Sequence, residues 1–138
     1  MVGIVIVTHG QLGDALVETA MQIFEEQPEA VTSVSIDLAE DVNKLRQKIE
    51  AGIKSVNRSN GILILTDMFG GTPSNLSYSF LEEGKIEVIS GVNLPVLIKA
   101  VNLRAREEKL HEMAKIIEAY GKKSISLASD ILKGNKRE

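Results

Sequence analysis

The segment Gly3-Ile4-Val5-Ile6-Val7-Thr8, followed at once by His9-Gly10, sets the architecture expected of this chain. Its residues are apolar and mostly β-branched without interruption, too few for a helix and lacking the alternation of a half-exposed strand. The run therefore reads as a central strand of a parallel sheet, buried on both faces. Beyond Gly10, Leu12, Leu16, Ala20 and Phe24 recur near every fourth residue, with acids and amides between them. That period predicts a first helix, closed before Pro28. Val31 to Asp37 alternates apolar and hydroxyl side chains and predicts a half-exposed outer strand. Val42, Leu45, Ile49, Ile53 and Val56 mark one face of a second helix, ended by the turn residues Asn57-Arg58-Ser59-Asn60-Gly61.

The same rhythm continues. Ile62-Leu63-Ile64-Leu65-Thr66 is a second fully apolar strand, ending at Asp67. A third helix is expected from Pro73, with Thr72 capping its free amides and Leu76, Phe80 and Leu81 facing the sheet. After Gly84, Lys85 to Ser90 predicts a fourth strand, and Gly91 to Pro95 a turn into a helix bearing Leu97, Ala100 and Val101. Leu110, Met113, Ala114 and Ile117 resume helical spacing before Gly121; Arg104 to Lys109 reads as a solvated charged face or a helix break. Lys123-Ser124-Ile125-Ser126-Leu127 alternates strictly and predicts an edge strand. The fold class that results is α/β: a doubly wound, mainly parallel four-stranded sheet with helices on both faces, plus a C-terminal edge strand. Residues 1–132 are expected to form one domain and 133–138 a polar tail, with no linker and no internal repeat.

Composition narrows the function. At 138 residues and 15.0 kDa, with 43% apolar and 25% charged residues, the chain matches one ordinary globular domain and leaves no room for two cores. No apolar run approaches the ~20 residues that cross a bilayer, and Val2 to Val7 is shorter than a signal-peptide core and lacks a basic start. A cytoplasmic location without membrane insertion is expected. Cysteine is absent, which excludes disulfides, thiolate metal sites and a cysteine nucleophile. A net charge of −3, with three Phe, two Tyr and no Trp, argues against nucleic acid as the main ligand. With only two histidines, His9 and His111, neither a metal centre nor a cofactor is expected.

In an open parallel sheet, ligands bind beyond the carboxyl ends of the strands, at the point where strand order reverses. His9-Gly10 falls there, as do Asp67-Met68-Phe69-Gly70-Gly71-Thr72-Pro73 and Ser90-Gly91-Val92-Asn93-Leu94-Pro95. If the first and third strands are neighbours, His9 and Asp67 meet. A carboxylate that accepts one ring N–H fixes the tautomer and leaves the other nitrogen free to attack. Gly70 and Gly71 would let backbone amides approach an anion, and Thr72 adds a hydroxyl at a helix start. Taken singly, each piece has an ordinary reading: His9 as a polar loop residue, Asp67 as a cap on the glycine turn, Gly70-Gly71 as a turn, Ser90 to Pro95 as a helix entry. His111, among Glu107, Glu108, Lys109 and Glu112, reads as surface. The combination points to phosphoryl chemistry, with Thr8, Gly10, Phe69, Ser90 and Asn93 as further site-lining positions.

Those three blocks, Thr8-His9-Gly10, Asp67 through Asn75 and Ser90 through Pro95, resemble the mannose-type IIA proteins of the bacterial phosphoenolpyruvate:sugar phosphotransferase system. The likeness runs in order from Val2 to about Leu132. It implies that His9 takes a phosphoryl group from the phosphocarrier HPr and passes it to a IIB partner. It implies also that Asp67 hydrogen-bonds the active imidazole, and that Gly71 and Thr72 contact phosphoryl oxygens. Such proteins pair as homodimers, some by exchanging a C-terminal strand, here Ser124 to Leu127. No Ala/Pro-rich linker or fused IIB domain follows, so a stand-alone IIA is expected. Phe69 stands where some members carry tryptophan, and Thr72 where some carry serine; an aromatic and a hydroxyl are kept. Three other readings compete. Histidine phosphatases place arginine before the histidine, where this chain has Thr8; a regulatory domain would have the state of His9 read rather than passed on; the phosphocarrier of dihydroxyacetone kinase shares the fold but not the glycine-threonine-proline block.

Overall fold

The structure, a computed structural model, describes residues 1–56, 59–106 and 109–134. Strands β1 (Gly3–His9), β2 (Val31–Ile36), β3 (Ile62–Thr66) and β4 (Ile86–Ser90) form one parallel sheet in the order β2-β1-β3-β4. The helices are α1 (Leu12–Phe24), α2 (Val42–Ser55), α3 (Thr72–Tyr78), α4 (Leu94–Leu103), α5 (Leu110–Lys123) and α6 (Ala128–Leu132).

The two central strands explain the layers. Successive side chains of a strand point to opposite faces, and both faces of β1 and β3 are apolar. Ile4, Ile6, Leu63 and Leu65 pack with Ala20 of α1 and with Leu97, Ala100, Met113 and Ile117 of α4 and α5. Val5, Val7, Ile62 and Ile64 pack with Leu45 and Ile49 of α2 and Leu76 of α3. The doubly wound expectation is met, and the outer position of the Val31 strand with it.

Several details differ from the sequence reading. The first helix approaches the sheet through Gly13, where a Cβ would stand 3.2 Å from Thr8 Oγ1 and 3.3 Å from Ile6 Cγ2. That close approach turns Leu12 outward, to 48% exposure. Val42 opens α2 past the carboxyl ends of the strands and is exposed, and α3 stops at Tyr78, which swings Leu81 out as well. Gly71 is the N-cap of α3 and Thr72 its first residue, so Thr72 does not cap the helix. Arg104, grouped by sequence with a solvated charge cluster, is buried, and its guanidinium donates to the carbonyls of Val2 and Ala30 at 3.3 Å each.

The C-terminal edge strand is not formed. Helix α5 runs through Gly121 to Lys123, the next residues join no ladder, and α6 follows with no buried residue. Alternation is a pattern for a strand with a neighbour, and among the described residues Ser124 to Leu127 pair with no strand. Asn57 and Arg58 of the turn after α2, Glu107 and Glu108 of the charged segment, and 135–138 of the tail lie outside the described residues.

The start of β1 runs so close beneath the end of α2 that a Cβ on Gly3 would stand 2.2 Å from the carbonyl oxygen of Val56. Backbone cannot rotate away as a side chain can. Gly3→Ala is therefore expected to destabilise the fold by roughly 1–3 kcal/mol, read as a lower urea midpoint at unchanged slope.

Candidate active site

Strand order reverses between β1 and β3: the chain leaves β1 for β2 on one side, then returns to β3 on the other. The ladder between β1 and β3 runs out at Val7 and Thr66, which leaves His9 and Asp67 side by side just past its end. Asp67 Oδ2 accepts two hydrogen bonds from His9, one from the backbone N–H at 2.8 Å and one from ring Nδ1 at 2.7 Å. Asp67 Oδ1 accepts from the Met68 amide at 3.0 Å.

Burial pushes the Asp67 carboxyl up, but the His9 amide, the His9 ring and the Met68 amide outweigh it and hold the group below its ordinary value. An ionised carboxylate can only accept, so Nδ1 carries a proton, which in the neutral form of the ring leaves the lone pair on Nε2. The imidazole is 36% exposed and the carboxylate 10%. A ring so held is fixed in direction and partly exposed, with Nδ1 engaged by Asp67.

Gly71 borders the other ring nitrogen, Nε2. A Cβ there would stand 2.8 Å from His9 Cε1 and 3.4 Å from Nε2, so only glycine lets the backbone lie against the ring. Gly70 turns the chain at φ +87°, a conformation other residues rarely adopt. His9, Asp67 and Gly71 are thus brought to one place, with Gly70 and Thr72 on either side of Gly71 in the chain.

The other sequence-selected positions are occupied otherwise. Thr8 is buried, and its hydroxyl accepts the Gly13 amide at 2.8 Å, tying down the start of α1. Gly10 has φ +50° and passes the chain into α1. Asn93 caps α4, accepting the Val96 amide at 2.9 Å, and its Nδ2 donates to Ser124 Oγ at 3.3 Å. Phe69 is 80% exposed at the tip of the turn, its ring 6.3 Å from that of Tyr78. Ser90 belongs to a hydroxyl cluster with Thr66, Ser74 and Tyr78 beneath the turn. Those last three residues escaped the sequence reading; a hydroxyl closing each of two adjacent strands, Thr66 and Ser90, was the available signal.

His111 stands at the opposite, amino-terminal end of the strands, exposed, with Nδ1 3.1 Å from Glu87 Oε2. It lines a cleft of about 1050 Å³ together with Met1, Gly84 and Arg106, and supplies no second histidine to the His9 site. Among the described residues, no group of three or more His, Asp or Glu side chains is placed to hold a metal, and no helix is long and apolar enough to cross a membrane.

The family model EIIA-man, the PTS (phosphotransferase system) fructose IIA component, matches residues 3–118. This chain belongs to the EIIA-man family. The fructose-specific EIIA component of Bacillus subtilis (strain 168) is 30% identical, the match covering 96% of this chain and 90% of that protein. The mannose-specific EIIAB component of Escherichia coli (strain K12) is also 30% identical over 90% of this chain, which spans 38% of that longer protein. The crystal structure of a phosphotransferase system EIIA from Streptococcus agalactiae superposes with a TM-score of 0.82 at 29% identity, covering 94% of this chain and 98% of that one. The chain is accordingly a mannose-family IIA component of a sugar phosphotransferase system. Within the EIIA-man match lie both halves of the His9–Asp67 pair; α6 lies outside it.

Because the Asp67 carboxyl is held low, its bonds to His9 stabilise the fold fully above the unfolded value near pH 4, and that contribution is lost as pH falls through the folded value. Asp67→Asn removes the charge. Urea unfolding is expected to show the unaltered protein ahead of the variant at pH 6, with the gap closing toward pH 3.

Proposed function

We propose that this IIA component is a phosphocarrier that takes a phosphoryl group from phospho-HPr on Nε2 of His9 and passes it to a IIB component for sugar uptake and phosphorylation. One observation carries this reading: Asp67 Oδ2 engages both the amide and Nδ1 of His9, so Nε2 alone is left to react, beside Gly71.

The Nε2 lone pair attacks phosphorus in line with the bond to the donor imidazole. A new N–P bond forms as the donor's breaks, and the donor ring departs with the electron pair. The His9 Nδ1 proton stays in its bond to Asp67, whose negative charge offsets the cationic character that the ring gains on phosphorylation. Amides of Gly70 and Gly71 and the Thr72 hydroxyl are assigned to the phosphoryl oxygens. The reverse sequence delivers the group to IIB.

Two structural features support protein partners. Met68 and Phe69 are exposed at the turn and Leu12 at the start of α1, so apolar side chains lie close in sequence to His9 and Asp67. Ile125, Leu127 and Leu132 are also exposed at the C-terminus, in keeping with a homodimer that pairs or exchanges this segment. In this reading residues 1–132 act as a cytoplasmic IIA domain.

Intact mass after incubation with phosphoenolpyruvate, Enzyme I and HPr is the test. One acid-labile phosphoryl group is expected on the unaltered protein and none on His9→Ala; an adduct retained by that variant overturns the assignment. Gly71→Ala must push the ring aside, and a shift of about 1 Å can slow transfer on the order of 100-fold. Rapid-quench phosphorylation of Gly71→Ala by phospho-HPr checks that loss.

A further inference from the structure

The turn from Asp67 to Gly71 carries half of the site yet stands outside the sheet. Its apolar side chains are not buried, Met68 being 55% and Phe69 80% exposed. Its position is set instead by polar contacts: the Asp67 carboxylate on His9, the Asn75 amide on the Gly71 carbonyl at 2.9 Å, and the Ser74 hydroxyl on the Met68 carbonyl.

Ser74 lies in the first turn of α3 and is fully buried, as is Thr66 at the end of β3. The polarity of the cluster follows from its one carbonyl. A carbonyl only accepts, so Ser74 must donate to Met68 and can then only accept from its other neighbours. Those are Thr66 Oγ1 at 2.6 Å and Ser90 Oγ at 3.1 Å. The single Thr66 proton also faces Ser90 Oγ at 2.8 Å, and Tyr78 Oη closes the cluster on Ser90 at 2.6 Å. The Thr66 carbonyl meanwhile accepts the amides of Gly91 and Val92 at 2.9 Å each, which locks the ends of β3 and β4 together. The Ser74 hydroxyl thus has the hydroxyl oxygens of two strand ends behind it and one place to put its proton.

We propose that Ser74 is a positioning residue for phosphoryl transfer: its hydroxyl, oriented by Thr66 and Ser90, fixes the Met68 carbonyl and with it the Asp67–Gly71 turn against the His9 ring. The proposal rests on the phosphocarrier reading above. Ser74 touches neither the imidazole nor the phosphoryl group; it acts through the turn. In Ser74→Ala the Met68 carbonyl loses its donor, and the turn is held only by the Asp67 bonds to His9 and the Asn75 amide on Gly71. The chemical step should suffer while docking of the donor should not.

The test is the time course of phosphorylation across a range of phospho-HPr concentrations, for folded protein verified by its melting profile. Ser74→Ala is expected to lower the maximal rate roughly 10- to 100-fold and leave the half-saturating phospho-HPr concentration unchanged. Thr66→Val, which keeps shape and removes the hydroxyl, should lower the same parameter, and Thr66→Ser should restore it. A folded Ser74→Ala protein with an unaltered maximal rate overturns the proposal, as does a rise confined to the half-saturating concentration. Should Ser74→Ala fail to fold, an unaltered rate in Thr66→Val overturns it instead. His9→Ala run in parallel separates the two levels. An adduct on that variant removes the carrier reading itself, whereas its loss beside an unaltered Ser74→Ala rate removes only the role of Ser74.

Discussion

A single carboxylate oxygen, Asp67 Oδ2, receives two hydrogen bonds from the same residue, and the site is organised around that oxygen. The backbone bond holds the end of β1 against the loop that leaves β3; the ring bond then has no freedom to choose another partner. Bonds to a charged group contribute on the order of 1.5–3 kcal/mol each, enough to keep a mostly buried carboxylate ionised against its desolvation. Its pKa direction says the same thing: burial raises it, and the His9 and Met68 contacts win. The pair exists only because β1 and β3 are neighbours in register, and they are neighbours because both are apolar on both faces and take the centre of the sheet.

That dependence explains why so much could be read from residues alone. Continuous apolar runs such as Ile4 to Val7 and Ile62 to Leu65 announce central parallel strands, and central strands that end in His9 and Asp67 announce where those side chains go. Parallel pairing then brings the two ends together without any further information. Helix faces were legible along their middles, as Leu45 and Ile49 show, and were missed at the ends, at Leu12, Val42 and Leu81, for local causes. Gly13 rather than Leu12 meets the sheet, because the close approach of α1 leaves no room for a side chain there.

What stayed hidden depends on contacts between distant segments of the chain. Serine and threonine read as polar punctuation in a sequence, and nothing near Ser74 signals that it meets Thr66 and Ser90 in a buried cluster. Arg104 reads as one member of a charged run; only the folded chain shows two backbone carbonyls, 102 and 74 residues away in sequence, drawing it inward. Ser124 to Leu127 shows the reverse error. Its alternation is real, but a strand also needs an edge to pair with, and among the described residues it joins none.

On the phosphocarrier reading, the site must bind a phosphoryl group and also let it go. A metal ion or a guanidinium clamp would stabilise the dianion strongly and favour the loaded state. Here the charge in contact with His9 is an anion, Asp67, which stabilises the cationic phosphorylated ring through Nδ1 while offering no attraction to the phosphoryl oxygens. We propose that neutral donors of the Gly70-Gly71-Thr72 turn meet those oxygens. Neutral donors hold weakly one at a time, so their effect rests on being already in place when the group arrives. That demand falls on the turn itself, and accounts for a glycine turn with exposed apolar side chains being moored from beneath by a buried hydroxyl.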